Sequence, residues 1–138
     1  MEGKLNLLLV EEIIQDYRLA FKSRQASYIG RREVLSGKAK FGIFGDGKEL
    51  PQLAMARVFN KGDFRSGYYR DQTFIFATGM GTIQEYFAQL YADPDLESEP
   101  SSGGRLMNAH FATRSLNSDG SWKNLTEQPK STGDISPT

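Results

Sequence analysis

The chain has 138 residues, 17 basic and 17 acidic side chains, no cysteine and a single histidine, His110. That length suits one domain with a sizeable core, and zero net charge argues against a general nucleic-acid binder, which carries a basic excess. The missing cysteines exclude disulfides, a thiol nucleophile and thiolate metal sites, and one histidine excludes a multi-histidine metal centre.

The N-terminal apolar run "LNLLLV" is too short for a membrane span, and glutamates follow it where a signal peptide would have a small-residue cleavage site. A cytoplasmic protein without membrane association is expected. Residues 10–35 read as a helix, because Val10, Ile13, Ile14, Tyr17, Ala20 and Phe21 recur at spacings of three and four. Glu11 and Glu12 fall in its first turn, where they complement the helix dipole. Gly37 is the expected stop, and Arg18, Arg24, Arg31 and Arg32 form an expected solvated basic face.

A glycine-containing loop, "KFGIFGDGK", leads into a second helix over 49–59 with Pro51 in its first turn. Leu50, Leu53, Ala54, Arg57 and Val58 give that helix a mostly apolar stripe. "NKGD" at 60–63 breaks the chain. A third helix is expected over 71–78, with Phe74 and Ala77 inward and Gly79 and Gly81 ending it. Thr82 and Glu85 then spell a capping box for a fourth helix, with Ile83, Tyr86, Phe87 and Leu90 on one face. After Asp93 the sequence turns polar and loop-like. From Arg105 onward no sustained period remains, so this segment is expected to be mobile or to lie against a neighbour's surface.

Three stretches could carry chemistry. "FGDGK" (44–48) contains a Gly-Asp-Gly, which in some enzymes supplies a magnesium-ligating carboxylate. Such a site also needs a buried strand before it and an asparagine at the right distance after it, since Mg²⁺ wants several convergent oxygens. Asn60 comes too early and Asn108 too late, so a turn opening a helix is the expectation. The stretch is not a Walker phosphate loop either. "GYYRDQ" places Arg70, a rigid fork of donors suited to phosphate oxygens, beside Tyr69. The plainer alternative is a Tyr–Arg pair packed at a helix start with Asp71 as cap. "GGRLMNAHFATRS" contains His110, the one side chain that titrates naturally near neutral pH. It too can be read as merely structural.

Taken together, "YYRDQ" at 68–72, "GGRLMNAHF" at 103–111 and "ISPT" at 135–138 resemble the motifs of the decarboxylating component of 2-oxo acid dehydrogenase complexes, in its α subunit or α-like half. "DYRLAFKSRQ" and "GKELPQLAMARVF" are similar to two helices of that family, so the resemblance covers nearly the whole chain. It implies a mostly α fragment, the N-terminal helical part of an α/β thiamine-diphosphate-binding fold. Residues 1–104 would be a helical region and 105–138 a channel-wall and cofactor-proximal segment lying before the parallel sheet and metal motif.

The implied activity is decarboxylation of a 2-oxo acid on thiamine diphosphate, with transfer of the acyl group to a lipoyl domain. By the resemblance, Arg70 contacts the cofactor diphosphate and Tyr69 lies beside it. His110 is the catalytic candidate near the substrate channel, and Ser136, Pro137 and Thr138 run past the cofactor. Magnesium accompanies the cofactor, with its ligands beyond these residues. The implied partners are a β-type subunit or a fused β-like half, the lipoyl domain and the 2-oxo acid; the chain by itself is expected to be inactive. Asp71 stands where the family usually has glutamate, Asn108 where it often has proline, and the Ser-Pro stretch is one serine short. A related acetoin-type dehydrogenase and a non-enzymatic helical module that binds an anion or a partner remain the alternatives.

Overall fold

The computed structural model describes residues 2–127 and 131–134. Among them the fold is mostly helical: α1 (Glu2–Leu35), α2 (Glu49–Val58), α3 (Gln72–Thr78) and α4 (Ile83–Leu90). A 3-10 turn covers Leu125–Glu127. Two four-residue strands, β1 (Phe64–Gly67) and β2 (Ser131–Asp134), pair in parallel, with Phe64 opposite Ser131 and Gly67 opposite Asp134. The sequence gives no sign of this pairing, because neither segment alternates apolar and polar residues.

Local signals set most helix ends. Thr82 accepts from the Glu85 N–H at 3.1 Å, and Glu85 accepts from the Thr82 N–H at 2.7 Å, which completes the expected capping box. α3 ends where Gly79 turns left-handed at φ 73°. α1 ends at Leu35, just before Gly37 as expected, but it starts at Glu2 rather than near Val10. Residues 4–10 contain no breaker, so the hydrogen-bonded ladder runs on through them.

The face that α1 presents to the fold is not the apolar stripe. Val10, Ile13, Tyr17 and Phe21 are 50 %, 57 %, 70 % and 53 % exposed, whereas Ser23, Ala26, Ser27 and Gly30 are buried. Small residues at these three- and four-residue spacings let α3 and the 40–45 loop approach closely. Gly30 is required by the ring of Phe44, which occupies the space a Cβ would need. α2 likewise buries Glu49, Gln52 and Leu53 and exposes Leu50, Ala54 and Val58, correcting its expected stripe. The arginine face of α1 also needs correction. Arg24 forms a two-pronged ion pair with Glu49, both bonds 2.6 Å, and Arg31 reaches Asp46 at 2.6 Å. Both tie α1 to the α1–α2 connection and the start of α2.

The core gathers Ala26, Phe74, Ile75, Tyr86, Ala109 and Phe111. The segment after Arg105 therefore supplies part of the core through Ala109 and Phe111, contrary to the expectation of a mobile or borrowed tail. It has no period because it follows an irregular path, with Ala109 at φ 65°. Buried side-chain amides take the place of a ladder. Asn108 accepts from the Ile43 N–H at 3.0 Å and donates to the Ile43 carbonyl at 3.1 Å. Gln89 accepts from the His110 N–H at 3.1 Å and donates to the His110 carbonyl at 2.7 Å. Each amide mimics a strand partner and satisfies backbone groups that burial would otherwise leave unmatched.

Candidate functional site

Arg70 and Tyr69 lie in the turn between β1 and α3. Asp71 stands at the N-cap position of α3, but its carboxylate does not cap the helix. It accepts from the Arg65 guanidinium at 2.8 Å and from the Tyr68 N–H at 3.1 Å, so it closes the turn from inside. From below, Gln52 of α2 donates to the Arg70 carbonyl at 2.8 Å and accepts from the Phe74 N–H at 3.0 Å. The "GDG" stretch meets the same carbonyl: a Cβ on Gly45 would stand 2.5 Å from the Arg70 oxygen. This close approach, rather than metal binding, explains the glycine there. The turn reading of "FGDGK" holds, with Gly47 donating to Glu49 as α2 begins.

The backbone of Arg70 is thus held from two sides while its side chain is exposed. Its guanidinium carbon lies 5.5 Å from the Tyr69 ring centroid. Among the described residues Arg70 makes no ion pair. Arg65 is the opposite case. Its side chain is 11 % exposed, is ion-paired with Asp71, and lies over the Phe74 ring at 5.1 Å. One arginine belongs to the scaffold and the other has its charge available at the surface.

Tyr69 also joins the second motif. Its ring lies 6.0 Å from the His110 ring, tilted by 30°, although 41 positions separate the two residues. The Tyr68 ring lies 3.9 Å from that of Tyr69, and the Tyr68 hydroxyl donates to the Tyr69 hydroxyl at 2.6 Å. That hydrogen bond raises the Tyr68 phenol above its ordinary value. The result is a row of rings, Tyr68–Tyr69–His110, with the Arg70 cation against the middle one.

His110 is 1 % exposed. Its Nδ1 lies 3.1 Å from the carbonyls of both Met107 and Asn108, two acceptors, so in the neutral ring Nδ1 carries the proton and donates. The basic nitrogen is then Nε2. Behind the histidine, Gln89 is adjacent to Glu99, a buried carboxylate that accepts from the N–H groups of Ser101, Ser102 and Gly104 and from the Ser102 hydroxyl. The loop carrying Glu99 is built around this carboxylate.

Of the residues singled out from sequence, Tyr69, Arg70 and His110 meet in one place. Ser136, Pro137 and Thr138 lie outside the described residues. Sequence reasoning missed Tyr68, Gln52, Gln89 and Glu99. Their partners are mostly backbone groups, which no residue-type pattern marks. Asn108 was visible as a misplaced metal-site asparagine and as a departure from proline; its side chain makes three hydrogen bonds that proline could not, two to the Ile43 backbone and one to the Tyr86 hydroxyl.

An exposed guanidinium on a backbone held from two sides fits a diphosphate oxygen, and a row of rings can flank a heteroaromatic group. No group of three or more His, Asp or Glu side chains among the described residues is placed to hold a metal ion. Also among the described residues, no helix is long and apolar enough to cross a membrane. Comparison of the chain with protein-family models, curated proteins and solved structures returns no match.

Proposed function

We propose that the chain is part of a thiamine-diphosphate-dependent 2-oxo acid dehydrogenase and forms one wall of its cofactor site. One observation supports the reading above the rest: the Tyr-Arg motif and the histidine motif meet through the Tyr69–His110 ring contact. Nothing local in either motif requires that meeting. A helical anion-binding module would need Arg70 alone.

In this reading the Arg70 fork binds the diphosphate, with Gln52 and Gly45 fixing its backbone. Tyr69 orients the cofactor and shields it from water. His110, with its proton held on Nδ1 by two carbonyls, is the candidate proton carrier of this reading through Nε2, which is buried beside Tyr69 in the chain as it stands. When bound, thiamine diphosphate supplies the carbanion and the electron sink for decarboxylation. Magnesium and its ligands, the β-type half and the lipoyl domain complete the machinery.

The test is calorimetric titration of thiamine diphosphate with Mg²⁺ into the chain assembled with the β-type half that the reading requires. Arg70→Ala loses a charge-assisted hydrogen bond, and binding weakens by about 1.5 to 3 kcal/mol. Unchanged affinity in a folded variant overturns the assignment. So does an adjoining coding sequence that lacks a strand followed by Gly-Asp/Glu-Gly and a later asparagine.

A further inference from the structure

The outer face of α1 carries a regular apolar stripe that the fold leaves uncovered. Val10, Ile14, Tyr17, Phe21 and Tyr28 alternate at spacings of four and three, up to the one turn occupied by Arg24; Ile13 flanks them. All six are between 42 % and 70 % exposed. The alternating four-three spacing is that of a two-stranded coiled-coil seam, narrower than the face of a core helix. A groove between α1 and α2 extends the stripe, lined by Ile13, Tyr17, Ala20 and Leu50, with Leu50 75 % exposed.

We propose that this stripe is an interface between two copies of the chain, with the α1 helices antiparallel and crossing near Tyr17. Charge pattern chooses the occupant and the direction. Glu12 and Asp16 are held by Arg57 and Arg24 is held by Glu49 within the chain, which leaves Glu11 on the N-terminal side of Tyr17 and Arg18 and Lys22 on its C-terminal side to flank the stripe. Parallel copies would set like charges side by side. Antiparallel copies set acid against base. Glu11 and Lys22 are eleven positions apart, about three full turns, so they lie on the same flank of the stripe. An antiparallel two-fold brings that flank against its own copy, Glu11 of one chain against Lys22 of the other.

Area agrees. Side chains of this size offer roughly 100–250 Å² each, so at their measured exposures the stripe and Leu50 together present on the order of 600 Å² per copy. Two copies then bury about 1,200 Å², the lower end of specific interfaces. The pairing asks nothing of Tyr69, Arg70 or His110, so it stands or falls apart from the cofactor reading.

Sedimentation of the 138-residue chain tests it. A dimer is expected at micromolar concentration, and Tyr17→Glu gives a monomer with unchanged helix content. Glu11→Lys alone weakens the dimer about tenfold, and adding Lys22→Glu restores it. The sequence has no cysteine, so single introduced cysteines report the direction. Tyr17→Cys chains should cross-link to one another on mild oxidation. Val10→Cys should cross-link to Arg24→Cys in a mixture and not to itself. A monomeric wild-type chain, a dimer indifferent to Tyr17→Glu, or efficient Val10-to-Val10 cross-linking overturns the proposal. So does a chain that stays monomeric and covers this face only with a different protein.

Discussion

The side-chain amide of Gln89 pairs with both backbone polar groups of His110, accepting from its N–H at 3.1 Å and donating to its carbonyl at 2.7 Å. Both residues are buried, so neither backbone group has water as a substitute. Gln89→Leu keeps the volume and deletes the pairing. Leaving two buried backbone groups unmatched costs about 1 to 3 kcal/mol each. In urea unfolding, the midpoint should fall by the corresponding amount with an unchanged slope. A midpoint within experimental error of wild type would show that the clamp is incidental.

Gly45 and Arg70 make the second prediction. A methyl at position 45 would stand 2.5 Å from the Arg70 carbonyl oxygen, and the neighbour is backbone, which cannot swing aside. Gly45→Ala should cost about 1 to 3 kcal/mol through the forced shift. Gly47→Ala tests a different requirement: nothing crowds that site, but its φ is 91°. If Gly45→Ala melts at the wild-type temperature, Arg70 is not held from this side.

The ion pair between Arg24 and Glu49 should be read out by acid. The two-pronged bond from Arg24 holds the Glu49 carboxyl below its ordinary value of 4.5. Because the folded value lies below the unfolded one, the stabilisation is complete above about pH 4.5 and is lost as pH falls through the folded value. Glu49→Gln should therefore be less stable than wild type at pH 7. The gap between the two should narrow steadily below pH 4.5. Denaturant titrations at pH 3, 4, 5 and 7 measure it, and a pH-independent gap would contradict the pairing.

The histidine separates binding from turnover. In the assembled enzyme of the proposed reading, His110→Ala should spare cofactor affinity and slow decarboxylation or reductive acylation of the lipoyl domain by roughly 10²–10⁴-fold. Normal turnover would leave His110 as a purely structural core residue.

Thr82→Ala removes one arm of the capping box and should cost about 1 kcal/mol, visible as a lower thermal midpoint. Thr82→Ser should restore it, since the serine hydroxyl reaches the same Glu85 N–H.

The sequence by itself determined what depends on neighbours within one or two turns. The Thr82–Glu85 box, the stop of α1 before Gly37, the stop of α3 at Gly79 and the turn at "GDG" are decided by backbone geometry and hydrogen bonds a few residues away. They are legible for that reason. Tertiary structure decided which face of each helix is covered. α1 offers two candidate faces, an apolar one through Tyr17 and a small-residue one through Ser23, Ala26, Ser27 and Gly30. Periodicity favours the first. Close approach of α3 and Phe44 selects the second, because only small side chains leave room for them. The candidate site divides the same way. Tyr69, Arg70 and His110 were visible as residue types in short motifs. Their meeting depends on Gln52, Gln89 and Asn108, amides whose partners lie 18 to 65 positions away. A buried amide and a surface amide are spelled alike, and only packing removes the water that makes its hydrogen bonds decisive.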